Sequence, residues 1–350
     1  NDLKTAVNGF LGLSNTFSAN DRIGMVSFAY RGCGNSSGND STATTCAPDA
    51  ALNFATSNYI NTLQNKVNAL VATGGTNTME ALRTARAALA PSFDDASRAL
   101  ARKAVLFVTD GQPTYMRLDS ASACQNNPRT GSALPSPGNT GGPTGGCVIG
   151  VATWTSSNSR PYIRRRNLGL TTVTDIPSSL NNAPLFRDLI RCTRSWANCV
   201  TNGAMYEANQ IRNCGRNNSA CNDGAAEHDV VFFAIAIGRD TSTTDPQSSL
   251  DANAKCMLAR MANANDILNA ATGIVETMNT VCGNVFTTTA VDGDTHADLL
   301  EAWPCGTGPC IDTTQQKGKV YTIDVNGDVE AQLQQVFNEI AAILKLRLVL

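Results

Sequence analysis

The chain has 350 residues, an apolar fraction of 42% and a net charge of −2. That length suits one large domain with insertions or two domains, and it builds a core easily. With only 16% charged residues there is no basic stripe for nucleic acid; the one basic cluster, Arg164 to Arg166 beside Tyr162, reads as a solvated loop face.

Twelve cysteines and two histidines say more. No two cysteines have zinc-ribbon spacing, so zinc has few ligands. The even count in Gly/Asn/Ser-rich surroundings fits a disulfide framework in an oxidising compartment. The simplest pairing joins sequential neighbours: Cys33 with Cys46, Cys124 with Cys147, Cys192 with Cys199, Cys214 with Cys221, Cys256 with Cys282 and Cys305 with Cys310. Spacing alone does not fix that connectivity. No signal peptide is visible, and no apolar run reaches the roughly 18 residues of a membrane helix. An exported protein would then be represented here by a mature or trimmed form.

In chain order, residues 2–18 are predicted helical, with Leu3, Val7, Phe10, Leu11 and Phe17 near one face. Ile23 to Tyr30 reads as a strand. Leu63, Val67 and Leu70 mark a helix. After ATGGTNT comes another, with Met79, Leu82, Ala85 and Leu89 inward and Pro91 closing it. Lys103 to Val108 is expected as a buried strand. From about Gln112 to Glu227 the texture turns Pro/Gly/Asn/Ser-rich, and SLNNAPLFRDLIRC is the place for a short helix. DVVFFAIAIG (229–238) is a strand buried on both faces. A helix is expected over Lys255 to Met261, then an irregular stretch at about 263–318, then the strand GKVYTIDV. The clearest helix follows, with Val329, Leu333, Val336, Phe337, Ile340 and Ile343 on one face and Asp328 as N-cap. LRLVL is expected to end the chain as a short strand.

Helices alternating with buried strands predict an α/β sandwich with a mostly parallel sheet. In such sheets ligands gather at the carboxyl ends of strands. Two oxygen donors are candidates there. Asp110 ends the strand KAVLFVT, with Gly111 letting the backbone turn away. Thr76, in TGGTNT, stands just before a helix. Each has a plain structural alternative: a turn cap for Asp110, and a helix N-cap for Thr76 that Thr78 offers equally. Together a hydroxyl and a carboxylate suit a hard cation.

The order helix, IGMVSFAY, GGTNTMEAL, KAVLFVTDGQP, VVFFAIAIG and closing amphipathic helix resembles a von Willebrand factor type A domain over roughly residues 1–112 and 227–350. The resemblance implies a Rossmann-like sandwich with long disulfide-stapled insertions, divided as residues 1–112, an insertion at 113–226, and 227–350. It also implies a metal-ion-dependent adhesion site, built from an Asp-x-Ser-x-Ser loop, a threonine matched by Thr76 and an aspartate matched by Asp110. The expected cation is Mg²⁺, or Ca²⁺ or Mn²⁺ on the same oxygens. A partner's carboxylate would complete its shell. The closing VFNEIAAILKLRL and the cysteine-rich insertions are similar to the tight-adherence (Tad) pilus-assembly proteins of the TadG type, envelope proteins with an N-terminal membrane anchor.

The Asp-x-Ser-x-Ser loop is absent. In the family it precedes the first helix, and this chain opens on that helix, so the central strand carrying the loop is expected upstream of residue 1, as is any anchor. The implied function is a binding module, not an enzyme, on a bacterial surface or in the periplasm. Its partner is a protein or a host or surface ligand, or other pilus subunits, but not nucleic acid. The alternative is a structural pilus or surface-assembly component that needs no metal. A type A subunit of a chelatase or ATPase complex works in reducing cytosol, where twelve cysteines would be a hazard.

Other motifs carry less. DTSTT (240–244) imitates the missing loop but follows the wrong strand, and GNSSG (34–38) lacks the helix a nucleophile elbow needs. DGDTHAD (292–298) and DVNGD (324–328) resemble calcium loops with a misplaced glycine; DVNGD is better read as a strand-to-helix turn. His228 and His296 read as surface residues.

Overall fold

The computed structural model describes residues 2–12, 20–28, 48–71, 76–93, 103–110, 113, 115–118, 147–150, 204–205, 207–208, 211–212, 230–238, 252–283 and 316–348. In chain order the helices are α1 (Asp2–Gly12), α2 (Ser57–Ala69), α3 (Thr78–Phe93), α4 (Ala252–Ala262), α5 (Met278–Gly283) and α6 (Val329–Leu348). The strands are β1 (Arg22–Met25), β2 (Ala50–Phe54), β3 (Lys103–Thr109), β4 (Tyr115–Leu118), β5 (Cys147–Gly150), β6 (Val230–Gly238), β7 (Asp266–Asn269), β8 (Val275–Thr277) and β9 (Lys319–Asp324).

The fold is mixed α/β around a mostly parallel sheet of five strands, in the order β3-β6-β9-β7-β8. The first four run parallel, and β8 closes the edge antiparallel to β7. The unbroken apolar run of β6 is explained by its central place. Val230, Phe232, Ala234 and Ala236 face one core, while Val231, Phe233 and Ile235 face the other. That is the two-residue period of a strand with helices on both sides.

On the first face lie α4, α5, Leu82 of α3 and the helical residues Ala204, Met205, Ala208 and Ile211. On the second lie Ala6 and Phe10 of α1 with Leu333, Val336, Phe337 and Ile340 of α6. Phe10 and Phe337 meet with ring centroids 5.0 Å apart. Asp328 caps α6 as expected, its Oδ1 accepting from the Ala331 N–H at 3.0 Å. α4 ends in a Schellman motif: Asn263 has a φ of 52°, its N–H donates to Arg260 O, and the Ala264 N–H donates to Ala259 O.

A second, two-stranded sheet pairs β1 with β2 antiparallel. It packs through Ala50 on Leu11, Leu63 and Val67 of α1 and α2. Val7 of α1 touches both this small core and the α6-side core. Past the end of β1, Phe28 stacks on Phe107 of β3 at 5.5 Å. Helix α1 therefore packs on both sheets, yet no ladder joins β1 to β3 among the described residues.

Several expectations need correcting. β1 ends at Met25 rather than Tyr30, and residues 26–28 are not strand; residues 29 and 30 lie outside the described set. The AALNF strand β2 was not foreseen, because it is five residues long without apolar–polar alternation and its partner is β1. α3 runs on to Phe93, past Pro91; a proline in the last turn removes a single helical N–H. β3 is not wholly buried: Ala104 is exposed, and Val105, Leu106 and Val108 are half-buried. The final LRLVL does not form a strand, since residues 346–348 belong to α6.

The supposed irregular regions hold structure. Residues 263–318 contain β7, β8 and α5, short elements with little periodic pattern of their own. Residues 113–226 contain the β4–β5 hairpin and the helical residues from 204 to 212. Parallel neighbours such as β3 and β6 need a crossover, usually a helix. Late in this stretch, Ala204, Met205, Ala208 and Ile211 are buried in the same core as β3 and β6. The described residues also include one of the expected disulfides, Cys256–Cys282, which ties α4 to α5; the other five pairings involve residues outside the described set.

Candidate functional site

Of the TGGTNT loop, Thr76, Asn77 and Thr78 are described. Asn77 is fully buried and caps α3: its Oδ1 accepts from the Glu80 N–H at 3.2 Å. Its Nδ2 donates to Glu80 Oε2 at 3.1 Å, and Glu80 is itself 2% exposed. This is a capping box in which the N3 carboxylate binds the cap side chain. The cap expected of Thr76 or Thr78 is therefore filled by Asn77. Its signature, Asn-x-x-Glu ahead of an apolar helix face, was legible in NTME. Thr76 stands half-buried one residue before this cap. Thr78 is fully buried, and its hydroxyl has no hydrogen-bond partner among the described residues.

Asp110 follows the last residue of β3. Thr109 is buried and paired in register with Ala236 of β6, while Asp110 is exposed. Strand β3 thus delivers a carboxylate to water at its carboxyl end. Leu82 and Leu89 of α3 share a core with Val105 and Phe107 of β3, so the helix packs along the strand it precedes. A helix that feeds a parallel strand runs back along it, which brings the start of α3 toward the strand's carboxyl end. At 16 residues for α3 and 7 for β3, the two span about 24 and 23 Å.

The donor set suits a hard cation in kind: an exposed carboxylate and a hydroxyl outside the cap. It falls short in number, since Mg²⁺ takes six oxygens and keeps several as water. Among the described residues no group of three or more His, Cys, Asp or Glu could hold a metal. DVNGD is a turn: Asp324 Oδ1 accepts from the Asn326 backbone at 2.9 Å and its side chain at 3.0 Å, and Gln332 brackets the Asp324 backbone. DTSTT, GNSSG, DGDTHAD, His228, His296 and Arg164 to Arg166 lie outside the described residues.

One charged cluster was missed by sequence reasoning. Glu207 has a side chain 1% exposed and lies 3.3 Å from Arg83 Nε and 3.0 Å from Arg86 Nε. Nearby, Arg212 donates to the Arg260 carbonyl oxygen at 3.1 Å. Burial first, and the charge of Arg212 second, bring the Arg260 guanidinium down to about 9.

Among the described residues no helix is long and apolar enough to cross a membrane. No protein-family model matches the chain, and no curated protein or solved structure matches it.

Proposed function

We propose that the chain is a type A binding module of a bacterial pilus or adhesion system, acting outside the cytosol and engaging a carboxylate-bearing partner through a divalent cation. The observation that carries this reading is Asp110, an exposed carboxylate at the carboxyl end of β3 in the parallel sheet. Thr76 and the exposed Asp110 would hold the cation, which when bound supplies an electrophilic position for the partner's carboxylate. The remaining ligands would come from an Asp-x-Ser-x-Ser loop on a strand between β1 and β3. Support for that slot comes from the half-buried apolar residues of β3 and from α1, whose Val7 packs on both cores.

The test is Mn²⁺ titration, followed by electron paramagnetic resonance, of a longer form of the chain carrying such a loop. Saturable binding is expected, weakened at least tenfold by Asp110→Ala or Thr76→Ala with unchanged unfolding midpoints. Undiminished binding in both variants would refute the assignment. No binding by the longer form would favour the second reading, a structural assembly component; the pair of side-chain donors, too few for a hard cation, is the observation on that side.

A further inference from the structure

We infer that Glu207 is a positioning residue that fixes where the cysteine-rich stretch between β3 and β6 meets the core. Two features of its surroundings lead there. The apolar side of its helical segment is built from Ala204, Met205, Ala208 and Ile211, all 0–6% exposed. Ala204 and Ala208 specify axial position weakly, and Met205 and the bulky Ile211 add apolar contact that has no direction of its own. The other side carries a single carboxylate held by two guanidinium groups, Arg83 and Arg86. These lie three residues apart on α3, the spacing that puts them on one helix face. A carboxylate buried to this degree tolerates only positions that keep its partners, so the ion pairs add a directional constraint to the apolar contact.

Another part of the stretch meets the same helix. Strand β4, five residues beyond Asp110, also packs against α3. Strand β4 and Glu207, from two parts of the stretch, thus both meet α3, and Arg83 lies about 10 Å along the axis from Thr76. This inference does not depend on cation binding by Thr76 and Asp110.

Hydrogen exchange of the whole, oxidised chain tests it, read by mass spectrometry on Glu207→Gln, on Arg83→Met/Arg86→Met and on the three changes combined. Glu207→Gln keeps the side-chain volume. Exchange at 204–212 should accelerate about tenfold while β6 and α6 keep their protection. Adding Glu207→Gln to the arginine-free chain should change nothing further, as a double-mutant cycle requires of a pair acting as a unit. Unchanged protection at 204–212 in Glu207→Gln would overturn the inference. So would an equal effect of Glu207→Gln with and without the arginines, or a loss spread evenly over β6 and α6. Should Glu207→Gln fail to fold, Arg86→Met alone, on a side chain 22% exposed, gives the same local readout; unchanged protection there would overturn the inference as well.

Discussion

Gly318→Ala tests how closely the chain passes between β6 and α4 on its way into β9. A Cβ built on Gly318 would overlap the Phe232 carbonyl oxygen outright and stand 2.5 Å from the Ala262 carbonyl oxygen. Both are backbone atoms of buried elements, so no side chain can swing aside. The Gly318 N–H donates to that same Ala262 oxygen at 2.9 Å, so moving the chain away also breaks this bond. Overpacking costs about 1–3 kcal/mol and the lost bond about 1 kcal/mol. The sum is about 3 kcal/mol of destabilisation, felt most at Lys319, the next residue and the one paired in register with Phe233. Urea unfolding with disulfides intact, followed by circular dichroism, measures it. Gly12→Ala is the control, because its Cβ would meet only the Gln64 amide, at an ordinary contact distance of 3.6 Å, and should cost less. A Gly318→Ala variant within about 0.5 kcal/mol of the parent, the range of an ordinary surface substitution, would refute the close passage and with it the register of β9.

Two further predictions concern local devices. Asn77→Ala should cost about 1–2 kcal/mol in the same assay, because it removes the cap and strips the buried Glu80 carboxylate of a donor; Asn77→Ser, which keeps an acceptor for the Glu80 N–H, should cost less, and equal losses would show that capping is not the cause. Replacing Cys256 and Cys282 together by alanine removes a link across a sequence separation of 26 residues, which should lower the unfolding free energy by about 3 kcal/mol. An unchanged unfolding midpoint would mean that the bond adds no stability in solution.

Strong local periodicity made much of the scaffold legible. The seven-residue apolar spacing through Leu333, Val336, Phe337 and Ile340 defines α6, and the run Val230 to Ile237 defines the central strand, because those patterns have one physical explanation each. Asp328 was legible as a cap for the same reason: the cap is a contact within four residues. The candidate site was legible in part. Thr76 and Asp110 stand out because each sits where an apolar pattern starts or stops.

Tertiary structure decided the rest. Whether Thr76 or Asn77 caps α3 depends on backbone angles that TGGTNT leaves open. The strands β2, β7 and β8 are short, and they are strands because a neighbour offers a ladder or a covered edge, which is a property of the partner and not of the segment. Glu207 looked like one polar residue in a cysteine-rich stretch. Its role comes from two arginines more than 120 residues away in sequence, and a charge pair formed at that separation leaves no local pattern to read. The burial of β3 was overestimated for a related reason: an apolar run reports what a strand can bury, while its neighbours determine what it does bury.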